Sequence, residues 1–247
     1  MKPALIALEW NGTTLHADVS EGYCIAIPLD HTTDQPNAYY APLYEATPVK
    51  VGTWIGDTRE GGSVNFYNLR INPHGNGTHT ECMGHISLQR FSIHHALGPG
   101  YFVAQLISVY PNQKENGDRI IEQLTWEPGV EAIIIRTMPN HPDKKTRQYS
   151  GTNPPYLDSK LVDKMAEDGV QHLLLDLPSV DREEDGGALA AHKAFWKYPE
   201  NPRINATITE LIYVDNVVPD GLYLLQIQIA ALELDASPSR PFIYPLK

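Results

Sequence analysis

Between Pro73 and Ser87 the chain reads PHGNGTHTECMGHIS, which gathers His74, His79 and His85 with Glu81, Cys82 and three glycines. His79 and Glu81 stand two apart. On an extended segment both side chains leave the same face, and a glycine-bearing turn before them aims that face into a cavity. Imidazole nitrogen with carboxylate oxygen is a ligand set for zinc, and it also suits manganese or iron. His85 lies four residues past Glu81. Where the chain curls back, it stands beside such an ion without binding it, and its ordinary pKa of about 6.5 suits proton transfer. Spacing alone leaves a second reading open, a polar loop that happens to be rich in histidine. Two histidines and one acid do not complete a site, so further ligands must come from elsewhere in the chain.

The elements that would position these residues can be read from periodicity. The first sixty residues are dense in turn formers, as in LDHTTDQPNAYYAPLYEATP, and read as strands joined by ordered loops. FYNLRI, YFVAQLISVY and EAIIIRT read as sheet strands. YLDSKLVDKMAEDGV then puts Leu157, Leu161, Val162 and Met165 on one helical face and stops at Gly169, and the buried strand QHLLLDL completes a βαβ unit. ATITELIYV and GLYLLQIQIA are two further strands, separated by the turn DNVVPD. The expectation is a mixed α/β domain with many strands and few helices. No linker rich in Pro, Gly and Ser divides it, so residues 1–247 are read as one domain.

Composition narrows the partners. A net charge of -11 argues against nucleic acid, which requires a basic stripe. No apolar run approaches the roughly 18 residues of a membrane helix. The N-terminal MKPALIALEWNGTT, broken by Glu9 and Asn11, is a poor signal peptide. Two cysteines, Cys24 and Cys82, do not make a disulfide framework, and a reducing cytoplasm is the simpler reading.

The run GTHTECMGH resembles the signature of the cyclase family that includes bacterial kynurenine formamidase, H-x-G-T-H-x-D-x-P-x-H. TWIGDTREGG upstream resembles that family's W-x-G-D segment. IIIRT, LLLDLPSVD, ALAAHKAFW, TITELIYVD and LDASPSRPF follow in the family's order, so the likeness spans roughly residues 20 to 245. It implies a mixed-sheet, barrel-like swivelling β/β/α domain. It also implies a metal centre in which His79 and Glu81 are ligands, His192 and Glu210 complete the set, and His85 transfers the proton. Zinc is the implied metal, as one or two ions, with manganese as the other candidate. The implied reaction is that of an arylformamidase, N-formylkynurenine to kynurenine and formate in tryptophan catabolism, in a homodimer or higher homo-oligomer acting on a small molecule. Two other readings stay open: a metal- or ligand-binding homologue without hydrolysis, and a cyclase, dehydratase or lactam hydrolase working on another carbonyl substrate.

Three departures from the signature matter. Its leading His falls on Gly75, with His74 one residue early; on an extended segment His74 would reach a metal only if the backbone bulged. Its Asp is Glu81 and its Pro is Met83. Among the remaining residues, Cys82 is either a thiolate ligand or nucleophile or a buried structural thiol, and alternation, which turns it away from Glu81, favours the last. Asp57 and Arg59 either orient a polar substrate or order their loop. Trp54 and Tyr67 read as packing rather than a pocket lining. His94 and His95 are adjacent, face different ways, and are not read as a ligand pair. The acids of VDREEDGG read as a solvated loop, with Ser179 and Asp181 shaping a floor to the site.

Overall fold

The structure, a computed structural model, describes residues 4–247. It is a mixed α/β fold built on a curled nine-stranded sheet. Its strands in chain order are β1 (Tyr23–Cys24), β2 (His79–Cys82), β3 (Phe102–Val109), β4 (Ala132–Thr137), β5 (His172–Leu175), β6 (Thr207–Glu210), β7 (Gly221–Gln226), β8 (Ala236–Pro238) and β9 (Phe242–Pro245). Across the sheet the order is β8-β2-β6-β5-β4-β3-β7-β9-β1. The four central strands, β6-β5-β4-β3, run parallel. Antiparallel strands extend the sheet on either side.

The apolar run of β4 follows from this position, because a central parallel strand is covered on both faces. Ile133 and Ile135 face one core with Leu173, Leu175 and Ile208. Ala132 and Ile134 face the other with Leu174, Tyr223 and Leu225. Four helical segments are α1 (Pro73–Asn76), α2 (Ile93–Ala96), α3 (Ser159–Glu167) and α4 (Ala190–Trp196). Helices α3 and α4 pack against each other and supply Leu161, Val162, Met165, Phe195 and Trp196 to the first core. Each is a crossover between parallel neighbours, α3 from β4 to β5 and α4 from β5 to β6.

Leu157, expected on the face of α3, lies outside the helix. Asp158 is the N-cap, with extended backbone and a side chain that accepts from Lys160 N, so Leu157 sits in a two-residue strand paired with Ile121. It is still buried in the same core. Tyr67–Arg70 is likewise a strand, but it pairs with Glu45–Pro48 outside the main sheet. The N-terminal stretch forms a hairpin, Leu5–Trp10 with Thr13–Asp18, turned at Asn11 and Gly12 with φ of 49° and 77°, the geometry an Asn-Gly pair supplies. Cys24 and Cys82 are free thiols. No helix among the described residues is long and apolar enough to cross a membrane.

Candidate metal centre

The fully buried strand β2 lies between β6 and β8. Directly opposed residues of antiparallel strands point to the same face, so His79 meets Glu210 across the β2/β6 ladder. His79 Nε2 is 3.4 Å from Glu210 Oε2. Thr80 turns to the other face, where its hydroxyl lies 2.8 Å from that of Thr209. Cys82 turns there too, into an apolar cluster with Ile93 and Ala96, and burial pushes its thiol up to about 11. Its structural reading holds.

His74 reaches the site by a route the extended-segment argument does not contain. Residues 73–76 form one helical turn, capped by Asn72, whose side chain accepts from Gly75 N at 3.1 Å. Strand parity does not apply in a helix. The His74 ring lies 5.2 Å from that of His79 and 4.2 Å from that of His85. Its Nδ1 is 3.1 Å from Glu81 Oε2 and its Nε2 is 2.8 Å from Asp235 Oδ2. The same turn explains why the signature's leading position is glycine: a Cβ on residue 75 would stand 2.3 Å from Ala41 Cβ and 3.0 Å from Ala38 O.

After β2 the chain curls through the 3₁₀ turn Met83–His85, with Met83 buried in the core. His85 thereby returns toward Glu81, its Nδ1 3.9 Å from Glu81 Oε2 and 3.4 Å from Asp235 Oδ2. Asp235, which sequence reasoning passed over, thus sits between His74 and His85. The one available signal was its place in LDASPSRPF, directly before β8, which pairs with β2.

His192 comes from α4. Leu189 precedes the helix with a left-handed φ of 49°, and Asp181 satisfies the helix start, accepting from Ala191 N at 2.7 Å and His192 N at 3.2 Å. The same carboxylate takes His192 Nδ1 at 2.6 Å, which turns Nε2 to Glu81 Oε1 at 3.2 Å. Trp196 packs along this ring, with centroids 5.5 Å apart, while the Lys193 ammonium is tied to Ala188 O. The VDREEDGG acids are only in part a solvated run: Glu184 is exposed, whereas Asp181 is buried. Glu183 accepts from Gly151 N and Asn153 N, and Asp185 from Gly187 N and Leu189 N, because this loop has few backbone partners of its own.

The electrostatics call for a cation. Glu81 is fully buried, and Glu210, Asp181 and Asp235 crowd the same cluster. Burial opposes the charged forms of His74 and His192, yet hydrogen bonds to Asp235 and Glu81 push His74 up to about 10, and those to Asp181 and Glu81 do the same for His192. Burial also works against the Glu81 carboxylate, but the surrounding histidines hold its pKa well below the usual range. His79 Nδ1 donates to Gly77 O at 2.9 Å, which leaves its Nε2 lone pair turned inward. His79 Nε2 is buried without a hydrogen-bond partner, 3.4 Å from Glu210 Oε2. Such an orphaned donor atom facing a carboxylate is what a bound cation satisfies.

Donor atoms of His79, Glu81 and Glu210 lie within 4.8 Å of one another, as do those of His74, Glu81 and His85. Imidazole and carboxylate donors so grouped fit a divalent metal ion. The cluster opens on a cavity of about 460 Å³, lined by Tyr39, Tyr40, His74, His85, His192 and Glu210. The Tyr39 hydroxyl donates to Pro178 O at 3.2 Å, and burial together with the charge of Glu210 raises its pKa, so it stays a neutral donor.

Other singled-out residues lie elsewhere. Buried Asp57 accepts from Arg59 N at 2.8 Å and from Tyr67 Oη at 2.5 Å, which is the loop-ordering reading. Trp54 packs on Phe66. His172 is buried and bonded to the Thr207 hydroxyl at 2.8 Å.

Comparison with known proteins gives the same picture. The kynurenine formamidase of Bacillus cytotoxicus is 27% identical over 212 residues, 80% of this chain and 93% of that protein. That of Bacillus cereus is 28% identical over 211 residues, 79% of this chain and 92% of its own length. Among solved structures, a potential metal-dependent hydrolase with cyclase activity superposes with a TM-score of 0.62 at 14% identity, covering 91% of this chain and 97% of that one. Isatin hydrolase A from Labrenzia aggregata superposes with a TM-score of 0.61 at 13% identity, covering 91% and 93%. These two likenesses establish the fold. The model of the cyclase family matches residues 23–182, which is more than half of the sequence and takes in β2 and the turns around it, so the chain belongs to the cyclase family.

Proposed function

We propose that this protein is a metal-dependent hydrolase of a small-molecule amide, of the arylformamidase type, cleaving an aryl formamide such as N-formylkynurenine to the free amine and formate. The observation that carries the reading is the buried convergence of His79, Glu81, Glu210 and His192, with His79 Nε2 left without a hydrogen-bond partner. Its relatives named kynurenine formamidase, which match across about four-fifths of the chain, support the substrate class.

His79, Glu81, Glu210 and His192 hold the ion, and His74 joins them through Glu81. The two donor groups share Glu81, so the centre accommodates one ion or two. Zinc is the metal we assign, since two or more imidazoles with carboxylates are an ordinary zinc set; manganese is the alternative. Bound there, a divalent ion polarises a carbonyl oxygen and lowers the pKa of water toward about 7.

The rest of the chemistry falls to side chains. Asp235 lies 3.4 Å from His85 Nδ1, and His85 lines the cavity. A base oriented by a carboxylate in this way removes a proton from attacking water and returns it to the departing amine nitrogen. Asp181 fixes the tautomer of His192 as Gly77 O fixes that of His79. The cavity's 460 Å³ suits a substrate of aryl formamide size. The reading includes a cytoplasmic location and a homo-oligomeric state, the second of which sedimentation of the purified protein measures directly.

The test is metal analysis of purified protein, followed by assay of formamide, lactam and lactone substrates with and without chelator. Chelator-sensitive release of formate from an aryl formamide is the expected result. Stoichiometric metal with no chelator-sensitive turnover of any of the three overturns the proposal in favour of a binding role.

A further inference from the structure

His94 and His95 take no part in the centre described above. They are adjacent on the helical turn α2, where neighbours project about 100° apart, so they face different ways as the sequence reading has it without being opposed. Their ring centroids are 5.1 Å apart. The loop before β8 brings Glu233 against them from far along the chain, with Glu233 Oε1 3.0 Å from His95 Nε2. One donor atom from each of the three lies within 4.8 Å of the others. Two ligands on one zinc ion at about 2.0–2.1 Å stand about 3.4 Å apart, a closure that rotation of exposed side chains supplies.

The scaffold beneath is fixed. Ile93, fully buried, donates its N–H to Leu234 O at 2.8 Å, Ser92 caps the turn and donates to Leu232 O at 3.4 Å, and the Arg90 guanidinium donates to Glu233 O at 2.5 Å. The two histidine side chains and the carboxylate are therefore carried on segments already bonded to each other, so little ordering is needed for all three to reach one ion.

We infer that His94, His95 and Glu233 form a second, peripheral site for a divalent transition metal, open to solvent and independent of the buried centre. Two imidazoles and one carboxylate select zinc, nickel and copper over magnesium and calcium, which require more oxygen ligands. Glu233 is two residues before Asp235, so an ion at this site also ties the Asp235 segment to α2.

The experiment is equilibrium dialysis of the metal-free full chain against zinc, comparing the wild type with His94→Ala/His95→Ala, with Glu233→Gln, and with His141→Ala as a lone exposed histidine control. The wild type and the control are expected to take up one zinc per chain more than the double variant. Glu233→Gln should weaken that last equivalent by about tenfold or more. Turnover at saturating zinc should be unchanged in the double variant, since the three side chains do not line the cavity, and the metal-free thermal midpoints of the two proteins should agree. Magnesium should give no extra equivalent. Equal uptake by the wild type and the double variant overturns the site. So does an equal loss in the control, or half an equivalent taken up together with dimer formation, which would mean that the ion bridges two molecules.

Discussion

At the scale of single residues the site is a set of histidines divided by their partners. His79 and His192 each give one nitrogen to a fixed acceptor, Gly77 O or Asp181, and turn the other toward a carboxylate. His85 is the half-exposed one, held by Asp235 at the cavity wall. His85→Ala should therefore leave the ion held by His79, Glu81, Glu210 and His192 in place while kcat/KM falls by about 10² to 10⁴, the usual contribution of a general acid–base group; full activity would remove His85 from the mechanism. Gly75 is set by space rather than chemistry. Gly75→Ala pushes a methyl to within 2.3 Å of Ala41 Cβ and 3.0 Å of Ala38 O. Urea denaturation should show a loss of about 1–3 kcal/mol, the ordinary penalty of overpacking.

At the scale of elements, the β2/β6 ladder and the capped start of α4 convert distant sequence positions into one cluster. The neighbouring β5/β6 pair carries a buried histidine with no charged partner, His172, whose pKa burial, with a smaller push from Arg203, pulls down to about 4. Above an unfolded-state pKa of about 6.5 the residue is neutral in both states and costs nothing. As pH falls below that value the unfolded chain binds a proton that the folded chain refuses until near pH 4. Stability is lost across this window, by about 3 kcal/mol in all for an ideal isolated group. Urea midpoints compared at pH 7 and pH 4.5 should thus fall less for His172→Gln than for the wild type. An identical fall in both would show that His172 is not a source of the acid sensitivity.

At the scale of the whole molecule, the centre joins β2, β6, β8, α1 and α4, so an ion there links elements from the middle and the end of the chain. A ligand that binds only the folded state stabilises it in proportion to the logarithm of its saturation, about 2.7 kcal/mol at a hundredfold excess over Kd. Removing metal with a chelator should lower the thermal midpoint by several degrees, and zinc should restore it. The shift should shrink markedly in Glu81→Gln, which leaves the cluster without its shared carboxylate. A chelator-insensitive midpoint in the wild type would mean that the ion adds nothing to the fold.

Much of this was legible in the residues themselves. Period-two alternation put His79 and Glu81 on one face and turned Cys82 away, and the apolar run AIIIRT marked a strand covered on both sides. The ordered series of family-like segments pointed to His192 and Glu210, which the fold brings to Glu81 and His79. What the sequence could not carry was the local backbone state on which parity depends. His74 fell out of register only on the assumption of extended chain, whereas one turn of helix carries it to the cluster, and His94 and His95, which face different ways in either state, meet Glu233 only in the tertiary structure. Asp235 was passed over and the role of Asp181 left open for another reason: a carboxylate is a surface charge or a buried partner according to what lies across from it. Those neighbours, His74 and His85 for one and His192 for the other, are 150 or more residues distant in the first case and 11 in the second. Short-range chemistry and period were fixed by the residue order, while the pairing of charges across the sheet was decided by tertiary structure, because opposed strands bring together residues that no local pattern relates.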